Sequence, residues 1–365
     1  MPNHVQSPSR PRIVVAYNRD FEGATADPEN KAREDIRDIA EHIVHILNES
    51  DFQACALGIT DDVLASVSEL RQLKPTAVFN LCESIKGDNR FECLLPLLLE
   101  LEGLPHTGSP AFALSLALRK EKVKDILWAR GVPVPRGVLV RAVTELDELS
   151  LAFPLIVKPA REDASVGICS ASVVHDRTAL ATRVSHVLAH YRQPALVEEF
   201  VDGREIYVSL LGRVRDEPQV FPFFEIDFGD MPADRPKIVS FEAKWVEDSV
   251  EYRGTKPVPC TGLSEALQAR VKTVAQDAFR AIGLRDYGRV DIRLHADGTP
   301  YVIDVNPNCD LSHVAGGYAR AAKAGGLAYK DVVLRLVSLA LSRHSDANTN
   351  SLAQRSICAH EPDCP

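Results

Sequence analysis

The sequence has 365 residues, of which 45% are hydrophobic and 25% are charged, and its formal net charge at pH 7 is −9. This length suggests two or three domains, and the acidic balance argues against a nucleic-acid or anionic-membrane partner. No apolar run reaches the roughly 20 residues of a membrane span, the N-terminus lacks a signal-peptide pattern, and the cysteines form no C-x-x-C pair, so a cytoplasmic protein is expected.

The first third of the chain alternates strand and helix patterns. Short apolar runs predict strands at 13–17 and 77–81, and helical spacing of apolar residues predicts helices at 29–48, 91–101 and 110–130. Such alternation predicts a parallel, doubly wound sheet. Gly131 and the Pro133/Pro135 pair end the last of these helices.

The remainder reads as mixed α and β structure between polar termini. Strands are predicted at 154–159, 168–174, 195–200, 204–212 and 219–226, a loop at 160–167, an irregular stretch from 227 to 260, and helices at 177–190, 264–282 and 329–343. Residues 1–11 and 344–365 are polar, and we expect both to be flexible tails.

Two β-rich runs flank an Asp-Gly pair at 297–298, which is the strongest short signal for a hairpin and predicts a two-residue turn. This turn places Asp291 opposite Asp304. Arg289 then lies opposite Asn306, and the four side chains share one face of the hairpin. Facing carboxylates repel unless a cation lies between them, and two acids with an amide oxygen suit Mg²⁺. The alternative is a solvated polar face on an edge hairpin.

Two other segments have the composition of nucleotide contacts. Lys158 ends an apolar strand, and the small residues of 164–167 leave backbone N–H groups open to a phosphate, although this lysine can equally extend to solvent. Residues 198–205 combine four acids with a Gly turn and offer acceptors for adenine and ribose. The alternative there is an ordinary acidic loop between two strands.

Taken in order, these segments resemble the ATP-grasp superfamily, most closely the D-alanine–D-alanine ligases. The resemblance covers about residues 75 to 340. The motifs that carry it are 104–109 (G-I-P-Y-T-G-S in the family), 119–124 (D-K-x-x-x-K), 131–135, 154–167 (F-P-V-I-V-K-P-x-x-x-x-S-S-V-G), 198–205, 242–244, 288–291 and 304–306. The resemblance implies an ATP-grasp fold, which is α/β with an α+β C-terminal part.

The same resemblance implies roles for particular residues. ATP contacts are expected from Lys120, Lys158, Lys244, Glu198, Glu199, Val201 and Glu205, with Lys244 reaching the terminal phosphate. Mg²⁺ ligands are expected to be Asp291, Asp304 and Asn306, holding two ions for which Mn²⁺ can substitute. Catalytic roles fall to Arg289, which stabilises the acyl-phosphate and the tetrahedral intermediate, and to Lys244 and Ser165.

Departures from the family pattern lie in the segments that recognise substrate. The N-terminal G-G-x-S-x-E-x-x-V-S motif is absent from 16–23, and Cys82 takes the place of the histidine in L-H-G-x-x-G-E-D-G. Ala164 replaces the first loop serine, and Trp245 replaces a tyrosine. The metal strand continues through 306–312 without the family's N-T-x-P-G-M-T. The ATP and Mg²⁺ residues are therefore retained, whereas those that recognise D-alanine largely are not.

We therefore predict an ATP-dependent carboxylate–amine ligase that forms an acyl-phosphate and acts on a small-molecule acid and amine. The loop 160–167 and the stretch 227–260 are the expected lids. A homodimer is also expected. The domains are predicted at 12–115 (Rossmann-like), 116–197 (central) and 198–343 (C-terminal ATP-grasp). Three alternatives stay open: a genuine D-alanine–D-alanine ligase, another ATP-grasp reaction such as natural-product amino-acid ligation or cyclisation, and a nucleotide-binding regulator without turnover.

Overall fold

In the computed structural model of the protein, the described residues are 10–19, 28–213, 215–314 and 316–358, with side chains described at 10–19, 36–213, 215–314 and 316–343. Most of the predicted N-terminal tail and the last residues of the C-terminal tail lie outside this description. Among the described residues, no helix is both long enough and apolar enough to cross a membrane.

Strands and helices alternate at first and then group into antiparallel sheets. The strands are β1 (Arg12–Asn18), β2 (Gln53–Ile59), β3 (Ala77–Asn80), β4 (Gly137–Val140), β5 (Leu155–Pro159), β6 (Val173–Val174), β7 (Ala195–Glu199), β8 (Gly203–Gly212), β9 (Gln219–Val220), β10 (Phe224–Asp227), β11 (Lys256–Pro259), β12 (Asp286–His295) and β13 (Pro300–Asn306). The α-helices are α1 (Pro28–Asn48), α2 (Val63–Leu73), α3 (Leu94–Leu101), α4 (Ala111–Ala117), α5 (Lys120–Ala129), α6 (Arg177–His186), α7 (Phe241–Trp245), α8 (Val250–Arg253), α9 (Glu265–Ile282), α10 (Gly317–Ala324) and α11 (Tyr329–Cys358).

The N-terminal sheet is parallel, with β1 in the centre and β2 and β3 on either side. Successive residues of β1 enter different cores because side chains alternate across a strand. Val15 packs with apolar residues of α1 and α11, whereas Val14 packs with those of α2 and α3. The predicted doubly wound sheet is confirmed. Neither β2 nor α2 is predicted from the sequence, and the small residues of β2 give no clear strand pattern.

Two antiparallel sheets follow, and they enclose the site. The central sheet has the order β4-β7-β5-β6, and α6 packs against it. The C-terminal sheet has the order β11-β10-β8-β12-β13, with β9 paired to β8. Helix α9 covers this sheet with an apolar face. It begins after Ser264, whose side chain accepts from the Leu267 N–H, and ends at Gly283 with a φ of 79°.

Some predicted elements have different bounds. The single helix expected from 110 to 130 is broken at Arg119, which has a φ of −103° and a ψ of 72°, so that a new helix starts at Lys120. The strand expected at 168–174 is reduced to β6 and preceded by a short 3-10 turn. Helix α11 continues past 343 to Cys358 because the intervening sequence contains no proline or glycine.

The three sheets are formed by successive parts of the chain. The last strand of the central sheet, β7, ends at Glu199, two residues beyond the boundary predicted at 197 between the central and C-terminal domains. The domain boundaries themselves stay a prediction.

Candidate active site

Hairpin β12–β13 forms the floor of the site. Asp291 pairs with Asp304 and Arg289 with Asn306, as the sequence predicts. The prediction of a two-residue turn is wrong. The His295 N–H donates to the Thr299 carbonyl (3.0 Å), so the turn contains one residue more than predicted. Ile303 then has no partner across the ladder, and this bulge restores the predicted pairing at the acids. The two irregularities therefore offset each other.

Each carboxylate of the facing pair has its own cationic partner. Arg289 donates from Nε and Nη2 to the two oxygens of Asp291, at 2.6 and 2.9 Å. Lys120 Nζ donates to both oxygens of Asp304, at 2.9 and 3.0 Å. Repulsion across the ladder is thus offset by protein cations as well as by any metal that binds.

Lys120 is the first residue of α5, and the break at Arg119 places its side chain in the site. Its amino group also donates to Asp163 of the 160–167 loop, at 3.1 Å. Burial disfavours the ammonium form, but Asp304 and Asp163 outweigh burial and raise the pKa of Lys120 above its ordinary value. Lys120 therefore stays charged and links the hairpin to the loop.

A second buried cluster joins α5 to the central sheet. Glu198 is 1% exposed and forms ion pairs with Lys158 (2.7 Å) and Lys124 (3.1 Å). Lys124 also donates to the carbonyls of Val302 and Ile303, both at 3.0 Å. Burial and the neighbouring Lys158 lower the pKa of Lys124 to about 8, and burial of Glu198 is outweighed by the two lysines, so the pKa of Glu198 falls below its ordinary value. The Glu198 carboxylate is thus the counterion of two lysines.

Replacing Glu198 with Gln is expected to destabilise the protein by about 3–5 kcal/mol, because it leaves Lys124 and Lys158 buried without a carboxylate. Urea unfolding of the purified variant measures this. The control is Glu199→Gln on the same strand, whose carboxylate faces Arg136 at 3.5 Å near the surface, where we expect a loss of at most about 1 kcal/mol. Equal losses in the two variants would contradict a structural role for the lysine cluster.

Strand β8 contributes to a third cluster of charged side chains beside the hairpin. In the ladder, Tyr207 lies beside Asp291 and Glu205 lies beside Arg293. Glu205 pairs with Arg293 at 2.6 Å and accepts from the Tyr207 hydroxyl at 3.1 Å. The Arg289 guanidinium lies 4.5 Å from the centre of the Tyr207 ring, so its position is fixed from two sides.

The two predicted lids contact each other above the hairpin. Ser165 donates from its hydroxyl to the Val239 carbonyl at 2.9 Å, and Trp245 donates from its indole to the Ala164 carbonyl at 3.1 Å. Ala164 and Ser165 have φ angles of 51° and 64°, which L-residues rarely adopt. Gly167 has a φ of 72°, and an added Cβ would lie 2.5 Å from the Pro159 ring. Strain of this kind concentrates at ligand-binding loops.

Two cavities adjoin the sheets and the two predicted lids. The narrow cavity, of about 120 Å³, is lined by every residue predicted for the site: Lys120, Lys158, Ser165, Glu198, Glu199, Val201, Glu205, Lys244, Arg289, Asp291, Asp304 and Asn306. The wide cavity, of about 1320 Å³, adjoins it. Lys244, Arg289 and Asn306 line both cavities and mark the junction. The wide cavity is also lined by Trp245, which replaces a tyrosine of the family pattern, and by Asp310 of the divergent 306–312 segment.

Four residues of the site are not predicted from the sequence. Asp163 and Tyr207 left no signal, because their roles depend on contacts across the fold. Arg293 follows Asp291 by two positions on the same strand face, and this spacing could have identified it. Lys124 lies four residues after Lys120 on the same side of a helix, and the family motif that contains both lysines gives Lys124 no role.

Comparisons with known proteins agree with this architecture. Residues 138–338 match the family described as D-ala D-ala ligase C-terminus. The uncharacterized protein y4sG of Sinorhizobium fredii is 33% identical over 84% of this chain and 88% of its own length. The D-alanine–D-alanine ligase of Nitrosospira multiformis is 31% identical over 66% of this chain and 73% of its own.

Among solved structures, the D-alanine–D-alanine ligase of Bacillus anthracis complexed with ATP superposes with a TM-score of 0.69 at 19% identity, covering 92% of this chain and 99% of that one. This likeness supports the fold, and the family match covers more than half of the sequence. The chain therefore belongs to the D-alanine–D-alanine ligase family and is an ATP-dependent, ADP-forming ligase with the ATP-grasp fold.

Proposed function

We propose that this ligase joins an amino acid to a second small carboxylate or amino acid, through an acyl-phosphate formed with ATP. The residues predicted to contact ATP line the narrow cavity, whose volume of about 120 Å³ is smaller than a nucleotide, so the predicted lids must open for ATP to enter. The acid and amine bind in the wide cavity. The observation that carries this assignment is the junction of the cavities, where Lys244 and Arg289 face both. A terminal phosphate held there can reach a substrate carboxylate while the lids exclude water.

Arg289 is the residue placed to stabilise charge during amide formation. Its side chain is held by two hydrogen bonds to Asp291 and by the Tyr207 ring. A guanidinium fixed in this way requires little reorganisation when negative charge develops on the acyl group, and such preorganised donors contribute most to catalysis. The carboxylate attacks the terminal phosphorus, ADP leaves, and the amine then displaces phosphate from the acyl carbon.

The hairpin residues fit a divalent cation by their chemistry. Among the residues that the structure describes, no three His, Cys, Asp or Glu side chains converge as a metal site. The third ligand that we propose beside Asp291 and Asp304 is therefore not a further acid but the amide of Asn306, which lies on the same hairpin. Asn306 turns its amide nitrogen to Asp291 at 3.1 Å, and rotation of the amide presents oxygen instead. Each carboxylate retains free lone pairs beside its ion pair. Mg²⁺ held by these residues would neutralise phosphate charge.

Lys158→Ala and Lys120→Ala are expected to raise the KM for ATP about 10- to 100-fold and to leave the KM for the amine nearly unchanged. Both ammonium groups line the narrow cavity, and a hydrogen bond to a charged group contributes about 1.5–3 kcal/mol. Steady-state kinetics with each substrate varied in turn measures this. Lys122→Ala, on the outer face of α5, is the control. Unchanged ATP affinity in both variants would remove these lysines from the nucleotide site.

A genuine D-alanine–D-alanine ligase is the second candidate, since several relatives carry that name. Cys82 and Trp245 occupy positions where that family uses other residues to recognise its substrate, and they favour a different amine or acid. A regulator without turnover is disfavoured, because Arg289, Lys244 and the proposed metal ligands share one cavity.

Phosphate release from MgATP, assayed with pairs drawn from a panel of amino acids and small carboxylates, tests the proposal. We expect release only when an acid and an amine are both present, with an amide as product. Absence of release with every pair would contradict the proposal and favour the regulator.

A further inference from the structure

The wide cavity is much larger than alanine requires, and its lining carries charges of both signs. The first half of the chain contributes acids without cations, namely Glu83, Glu92, Glu162 and Asp163. The second half contributes every lysine and arginine of the lining, namely Lys244, Arg253, Lys256, Arg289 and Arg320, together with three further acids, Asp230, Glu247 and Asp310. Ligand pockets with a few fixed charged groups select the charge pattern of their ligand. This lining suits a molecule that carries both an ammonium and a carboxylate group.

Among these acids, Glu92 combines burial with a position on the cavity wall. It lies between a 3-10 turn and α3, and it is only 7% exposed. Its carboxyl group hydrogen-bonds the side chain of Asn308, which also lines the wide cavity. Asn308 is held in place because it accepts from the Tyr287 hydroxyl (2.8 Å) and donates to the Cys82 carbonyl (3.0 Å). One neutral amide is therefore the partner of Glu92.

No cationic side chain among the described residues forms an ion pair with Glu92. Lys120 is the cation that acts on it electrostatically, but the Lys120 amino group is already bound to Asp304 and Asp163. The nearby carboxylates of Asp163 and Glu83 act in the opposite direction. The pKa of Glu92 is raised well above its ordinary value, mainly by burial and secondly by the negative charge of Asp163.

A buried carboxyl group without a counterion is costly, and such a group at a cavity wall is a candidate for ligand binding. An ammonium ion supplies the missing positive charge and three N–H donors for acceptor positions that Asn308 leaves open. The cost in the free protein is then offset when the ligand binds.

We propose that Glu92 binds the ammonium group of a substrate in the wide cavity, and that it restricts this position to amino acids or other primary amines. The inference rests on the proposed ligase function and names the substrate class of that site. The ammonium pairs with Glu92, and a cation of the same cavity, such as Arg289, pairs with the carboxylate of the same molecule or of its partner. A carboxylic acid that lacks an amino group leaves Glu92 unpaired and binds weakly.

The test uses the variant Glu92→Gln, which keeps the shape of the side chain and removes its charge. Its matched control is Glu102→Gln at the end of α3, where Glu102 pairs with Arg71 on the surface outside both cavities. The probes are glycine, the two alanine enantiomers, phenylalanine and glutamate, each compared with its deamino analogue, which is acetate, propionate, 3-phenylpropionate or glutarate. Binding is measured by calorimetry on protein saturated with a non-hydrolysable ATP analogue and Mg²⁺, and phosphate release is measured with ATP.

We expect the wild-type protein to bind at least one amino acid tighter than its deamino analogue, and Glu92→Gln to weaken that binding about 10- to 100-fold without changing the affinity for the ATP analogue. Glu102→Gln should bind as the wild type does. Equal binding of amino and deamino probes by the wild type, or an unchanged affinity in Glu92→Gln, would overturn the inference.

The two proposals fail separately. Selective binding of an amino acid that depends on Glu92, without phosphate release for any pair, would refute the ligase function and retain the ammonium site. Phosphate release by both proteins with the same KM for the amino acid would retain the ligase function and refute the role of Glu92.

Discussion

Replacing Asp304 with Asn is expected to lower ATP turnover by about 10³-fold or more. The carboxylate lies in the narrow cavity, faces Asp291 across the ladder and binds Lys120 through both oxygens. Loss of this carboxylate weakens the proposed Mg²⁺ site and removes the main partner of Lys120, which is assigned to the phosphates. A metal ion stabilises the transition state of phosphoryl transfer by several kcal/mol, which corresponds to the expected loss in rate. ADP release in the presence of the acid and amine measures the effect.

The same variant also tests the electrostatics of the free protein. From the sequence alone, neutralising one of two facing carboxylates should leave thermal stability unchanged or slightly raised. The structure reverses this expectation, because Asp304 is the main partner of buried Lys120 and Asp163 alone remains after the change. We expect a lower melting temperature without metal. Asp297→Asn, in the exposed turn of the same hairpin, is the control, and normal turnover by Asp304→Asn would remove Asp304 from the metal site.

With D-alanine as its only substrate, the protein is expected to release little or no phosphate. When a site is built to hydrogen-bond one substrate, the loss of its polar partners lowers kcat/KM for that substrate by up to about 10⁴-fold. In the structure, Cys82 is buried and its carbonyl accepts from Asn308, while Trp245 is bound to the Ala164 carbonyl. Neither side chain offers the polar groups that the family pattern has at these positions. The wide cavity, which Trp245 lines, also leaves space around a substrate as small as alanine.

Phosphate release and chromatography of the product measure this, with a mixed panel of amino acids as the positive control. Synthesis of D-alanyl-D-alanine at rates ordinary for a metabolic enzyme would contradict the prediction and establish the second candidate.

The hairpin acids could be predicted because strand alternation and a turn signal fix which side chains face each other. The pairing of Asp291 with Asp304 is correct even though the turn is longer, because the bulge at Ile303 compensates for it. Neither irregularity is encoded in the alternation pattern itself. Register near a bulge depends on packing across the whole sheet.

The cations of the site were harder to assign than its acids. The family motif identifies Lys120, but the break before α5 that directs its side chain to Asp304 has no proline or glycine signal. Asp163 meets Lys120 only when the loop of the central sheet folds over the hairpin. Such contacts join residues far apart in sequence, and local patterns do not predict them. The domain boundaries and the homodimer stay predictions.

The most direct test of the central claim is to trap the acyl-phosphate with hydroxylamine. The protein is incubated with MgATP, hydroxylamine and each acid of the panel, and the hydroxamate and nucleotide products are quantified. We predict that at least one acid gives a hydroxamate together with an equal amount of ADP and phosphate, and that Asp304→Asn forms neither. Release of ADP without hydroxamate, or formation of hydroxamate together with AMP and pyrophosphate, would contradict an acyl-phosphate ligase.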